Sequence, residues 1–170
     1  MSSLSLRRQV VLVVVCAAVP VVAQAQMVTP RPLSVYDAAL VRRAAESARA
    51  RLQAPQCQGL LDEFKDPDGV TLRKRLDDQG MTVEGRLDAL RFVDASESSL
   101  CRSSQSFAFA IRAGLVVYVC PRTMAKTELR EPTRVQSVII HELLHTIGLG
   151  ENPPTSTYIT ARVEARCLSN

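Results

Sequence analysis

The apolar positions keep a helical period through the first half of the chain and change to alternation near its middle. Val41, Ala44, Ala45, Ala48 and Leu52 form one stripe, which predicts a helix over 36–53 that Pro55 ends. Leu60, Leu61 and Phe64 predict a short helix over 57–65, and Asp66-Pro67-Asp68-Gly69 is a strong turn signal. Thr71 suits an N-cap before Leu72 and Leu76, with Gly80 as a stop. Thr82 does the same before Val83, Leu87 and Leu90. Phe92-Val93 begins a strand, and the Ser-rich segment 94–106 reads as a loop.

From Phe107 the period is two. Phe107, Phe109 and Ile111 alternate with Ala108 and Ala110, Arg112-Ala113-Gly114 turns, and 115–120 is continuously apolar. That pattern predicts a β-hairpin whose second strand is buried on both faces, ending at Pro121. The segment 122–131 is polar and reads as irregular. Pro132-Thr133 then opens a helix, capped by Glu131 or Thr133, that runs to Ile147 and stops at Gly148. Ser156 and Thr157 can cap a last helix with Ile159, Val163 and Cys167 as its stripe. These elements amount to a single α+β domain with a small sheet. There is no internal repeat and no interdomain linker.

Composition adds limits. Net charge is +4, and Arg7 and Arg8 carry two of those charges, so the rest of the chain is nearly balanced. With no Trp and few other aromatics, the chain lacks a stacking platform for bases, and a nucleic-acid partner is not expected. Arg42, Arg43, Arg49 and Arg51 have Glu46 among them and read as a solvated helix face.

The N-terminus reads as an export signal over 1–25: Arg7-Arg8, an apolar stretch over 10–22, then Ala23-Gln24-Ala25 before a cut at Gln26. The apolar stretch falls short of the ~20 residues that span a bilayer. No retained membrane span is expected, and the mature domain is 26–170, periplasmic or secreted. The lead-in and helix over 26–55 can be either integral or a propeptide-like cover. Cys16 would leave with the signal, so Cys57, Cys101, Cys120 and Cys167 remain. An even number in an exported domain suggests two disulfides. Of three pairings we expect Cys57–Cys101 and Cys120–Cys167, which close loops of comparable size.

The candidate chemistry lies in His141-Glu142-Leu143-Leu144-His145, which contains both histidines of the chain. Residues i and i+4 share a helix face, so the two imidazoles can bind one metal ion while Glu142 stands beside it. The flanking positions, from Val138 to Ile140 and then Thr146 and Ile147, carry no charge. A core helix without metal would bury two imidazoles and a carboxylate, which is costly unless something pairs with them. A Zn²⁺ ion would.

The motif resembles the HExxH arrangement of the zincins. That resemblance implies a zincin-like domain with a buried active-site helix. It also implies a zinc-dependent peptidase in which Glu142 is the general base for a zinc-bound water. The continuation Gly148-Leu149-Gly150-Glu151 is similar to the longer HExxHxxGxxH motif of the metzincins, with Glu151 at the third-ligand place. Snapalysin-like enzymes carry an acid there. The methionine turn of the metzincins is missing, since no Met follows Met124. A second candidate, Glu164, is similar in position to the late glutamate of the gluzincins; Glu151 is preferred.

Tyr158 or Arg162 is available to hold an oxyanion, beside an ordinary surface role for each. The substrate implied is a peptide or protein, able to bind by adding to a sheet edge. The competing reading is a non-catalytic zincin-fold envelope protein that uses zinc for stability or for binding a partner. A third is a disulfide-bonded protein in which the motif is coincidental.

Overall fold

The computed structural model describes residues 30–103 and 106–169. The expected signal segment, Cys16 included, lies outside them. The architecture is mixed α+β, with helices packed around one buried helix and a three-stranded sheet beside it.

Helix α1, Val35–Leu52, begins where the Ser34 hydroxyl accepts from the Asp37 N–H. Its buried residues are Leu40, Val41, Ala44, Ala48 and Leu52, nearly the expected stripe. Two short helices follow, α2 (Pro55–Gln58) and α3 (Leu60–Glu63), in place of the one helix anticipated over 57–65. Thr71 and Thr82 cap α4 (Leu72–Asp78) and α5 (Val83–Asp88) through their hydroxyls, as their positions suggested.

Strand β1, Arg91–Asp94, pairs parallel with β3, Val116–Val119, and β2, Ala108–Ala110, pairs antiparallel with β3. The sheet order is β1-β3-β2, so β2 is an edge. The hairpin is present, but β3 is not buried on both faces. Val117 and Val119 are fully buried, whereas Val116 and Tyr118 are only half-buried. Among the described residues no second layer covers the outer face; there Tyr118 stacks on its cross-strand partner Phe109, ring centroids 5.0 Å apart.

Two segments read as irregular contain helices. Helix α6, Ser99–Ser103, starts where the Ser98 hydroxyl accepts from the Cys101 N–H. Helix α7, Pro121–Glu128, uses Pro121 as its first residue and one buried anchor, Met124. A polar sequence with a single apolar anchor offers too little periodicity to reveal a helix.

The pairing of cysteines also differs from the expectation. The disulfides are Cys57–Cys167 and Cys101–Cys120, with Cα separations of 4.5 and 5.3 Å. The chain's end returns beside α2, and α6 lies against the end of β3. Loop lengths could not reveal which elements become neighbours.

Helix α8, Pro132–Ile147, runs through the middle of the domain, with Pro132 as its first residue and Glu131 as N-cap. Every residue from Ile139 to Leu149 is buried. Helix α1 packs along it on one side, and β2 and α9, Ser156–Val163, flank the end that carries the histidines. The N-cap of α9 is Thr155, one residue before the expected Ser156, and a π-helical turn, Glu164–Leu168, prolongs it. Among the described residues, no helix is long and apolar enough to cross a membrane.

Candidate metal centre

Gly148 ends α8 with φ of 139°, a backbone that favours glycine. Its N–H and that of Leu149 return to the last turn of the helix. Carbonyls of that last turn take further donors from elsewhere. Ala113 N–H donates to His145 O (3.0 Å), and the buried Arg86 guanidinium donates to Thr146 O and, at 2.9 Å, to Gly114 O. Nothing in the sequence marked Arg86. Desolvation lowers its pKa, and its hydrogen bonds tie α5, the hairpin turn and the end of α8 together.

The turn after α8 rests on the Asp66-Pro67-Asp68-Gly69 loop. A Cβ on Gly150 would come within 3.3 Å of Pro67 Cγ, so glycine permits the approach. Asp66 stiffens that loop by accepting from the N–H groups of Asp68 and Val70, each at 2.9 Å, and from Arg75.

His141 and His145 project from one face, as their spacing requires, and their Nε2 atoms are 3.1 Å apart. His145 Nδ1 donates to the Leu149 carbonyl at 2.9 Å. A carbonyl can only accept, so in the neutral ring the Nε2 of His145 carries a lone pair. His141 Nδ1 shares a hydrogen bond with Thr160 Oγ1 of α9 at 3.0 Å. Two proton arrangements fit. Either His141 Nε2–H donates to His145, or both Nε2 lone pairs point at a common centre. Two nitrogens about 2.05 Å from a tetrahedral zinc would stand about 3.3 Å apart. The observed spacing is close to that.

Glu151 supplies the third group. Ligand atoms of His141, His145 and Glu151 all lie within 4.8 Å of one another, so these three side chains could hold a metal ion. The histidines are buried and Glu151 is exposed, which leaves one side of the cluster open. Burial, with the neighbouring His145 adding to it, lowers the His141 pKa to about 3, so its imidazole is neutral near pH 7, the form a metal needs. Glu164 does not join this group. It lines a side hollow beyond Thr160.

Glu142 is buried beside the histidines and takes the Ala110 N–H, but among the described residues its Oε2 has no hydrogen-bond partner. Burial pushes this carboxyl up to about 8; the Glu151 charge adds to the shift and the Ala110 N–H opposes it. The cluster opens into a cavity of about 930 Å³ bordered by β2, Arg112 and the turn 149–154.

The two oxyanion candidates are engaged elsewhere. Arg162 grips Glu63, with Nη2 to Oε2 at 2.7 Å, and Tyr158 packs edge-on against Phe64. Thr160, Leu149 and Arg86 support the site and were missed. A threonine hydroxyl, a backbone carbonyl and a surface-like arginine carry no signal of such a role until the helices are placed. Comparison with protein-family models, with curated proteins and with solved structures found no match to this chain.

Proposed function

We propose that this protein is an exported zinc-dependent peptidase in which His141, His145 and Glu151 hold the metal and Glu142 moves the proton. The observation that carries the reading is the convergence of two Nε2 atoms and a carboxylate beside a buried carboxyl oxygen with no partner. Bound zinc supplies Lewis acidity and an acidified water. A metal cation beside Glu142 favours its ionised form against the burial that pushes the carboxyl up. The carboxylate, facing the same cavity, accepts a proton from water and returns it to the departing amine. Leu149 O and Thr160 Oγ1 hold the rings in orientation, as outer partners of metal-binding histidines do. Among the described residues β2 has no strand partner on its outer side, and it lines the cavity. An extended peptide can therefore add there in exchange for the contacts that Glu142 makes with the Ala110 N–H and Ser106 with the Ala108 carbonyl. Two disulfides support an oxidising destination.

The test is zinc content and peptide cleavage of the mature protein. Wild type should carry about one zinc per chain and cleave a mixed peptide pool. Glu142→Gln should keep the zinc and lose cleavage. Equal cleavage by both would remove the peptidase reading. A second reading is favoured by the same 3.1 Å distance: His141 Nε2–H donates to His145 and the pair is a buried polar element without metal. A protein that binds no zinc would establish it.

A further inference from the structure

A second hollow opens from the metal cavity between α8 and α9. The two share Ala108, His141 and Glu142 in their walls. Arg134 stands at its outer end, with its guanidinium carbon 5.4 Å from the Phe107 ring centroid. Phe107 and Arg134 also line a third hollow, of about 540 Å³, walled by Arg122, Lys126 and Arg130. Four cations therefore surround this last hollow against one carboxylate, Glu131, which meets Arg134 at 3.8 Å. Among the described residues, no acid pairs with Arg122, Lys126 or Arg130, and all three are exposed. A concave surface of one sign raises the local concentration of the opposite charge.

The strand direction says which part of a substrate meets these cations. Antiparallel pairing is the commoner strand geometry. A peptide added to β2 in that sense runs from Ala110 toward Ala108, so its C-terminal portion heads for Phe107 and Arg134. From His141 to Arg134 is two turns of α8, about 10 Å. An extended chain covers that in about three residues.

We propose that the hollow between α7 and the start of α8 binds an acidic stretch of the polypeptide substrate, beginning about three residues C-terminal to the scissile bond. This selects the substrate class and rests on the peptidase reading. The helix α7 is the discriminating surface. Arg122 and Lys126 lie one turn apart on one face of it, and Arg130 follows just past its end.

The experiment uses three fluorogenic peptide pools with the same randomised centre. One carries a Glu block on the C-terminal side, one a Gln block there, and one the Glu block on the N-terminal side. The C-terminal Glu pool should be cleaved roughly tenfold faster than either of the others, as expected for local charge attraction. The advantage should shrink in high salt and disappear in Arg122→Gln/Lys126→Gln/Arg130→Gln. Equal rates, preference for the N-terminal block, or a preference that survives in the triple variant overturns the proposal.

If no pool is cleaved, fluorescence anisotropy with the labelled Glu-block peptide separates the two readings. Binding that the triple variant loses sustains the acidic-peptide site while the peptidase reading falls; no binding overturns the site. Tighter binding to phosphatidylglycerol vesicles than to the peptide overturns it in favour of a lipid surface.

Discussion

His145 Nδ1 donates to the carbonyl of Leu149, so the residue that anchors the turn after α8 also sets the tautomer of the ring that precedes it. One short segment thus shapes the path toward Glu151 and prepares the nitrogen that faces His141.

Replacing Glu151 by Ala should weaken zinc binding by more than tenfold, whereas Glu164→Ala should leave it within about twofold, since loss of a direct ligand exceeds the 10–100-fold range of outer-partner losses at its lower end. Chelator competition on the two variants reads the difference. The reverse order would move the third ligand to α9.

Thr160→Val keeps the shape of the side chain and removes the partner of His141 Nδ1. Zinc affinity should fall about tenfold. Competition against a chelator of known strength checks it, and unaltered affinity would mean that packing alone orients His141.

Arg86→Met leaves the Thr146 and Gly114 carbonyls without their donor in a buried setting. Stability should drop by about 2 kcal/mol, the cost of orphaning such groups. Urea unfolding measures it, and a loss confined to a few tenths would show that water replaces the guanidinium.

Acid should unfold the protein through Asp66 and Glu63. Burial raises the Asp66 carboxyl, but the Val70 N–H, Arg75 and the Asp68 N–H together hold it below its ordinary 3.8. The hydrogen bond from Arg162 holds Glu63 below 4.5. Both carboxyls therefore bind protons more weakly in the folded state. Their contribution is present above about pH 4.5 and fades as pH falls through the depressed values. Asp66→Asn and Glu63→Gln should each flatten the stability profile between pH 5 and about pH 2. An unaltered slope in both would assign acid sensitivity to other groups.

The disulfides should contribute unequally. In the chain-entropy picture, loops of 110 and 19 residues correspond to roughly 5 and roughly 3 kcal/mol. Removing Cys57–Cys167 should thus cost more than removing Cys101–Cys120, as read by denaturation of the paired Cys→Ala variants.

The helices with wide apolar stripes were legible in the sequence, and so were the threonine caps at 71 and 82 and the stop at Gly148, because each depends on residues within a turn or two. Helix α7 was not, since Met124 alone anchors it. The cysteine pairing depended on α2 meeting the chain's end, a tertiary fact. Within the site, the spacing of His141 and His145 was legible, and so was the glycine turn toward Glu151. The neighbours that orient the rings were not. Thr160 comes from another helix, and the Leu149 carbonyl has no sequence identity at all.

Helix α1 has its own consequence. Five of its side chains are in the core, it packs along α8, and Arg51 at its end holds Gln136 of α8 and the Cys167 carbonyl. It borders neither of the hollows that hold His141. A cover that is shed on activation should lie across the cleft and come away without opening the interior; α1 does the opposite on both counts. Trimming the chain behind residue 52 would unmake the protein rather than switch it on.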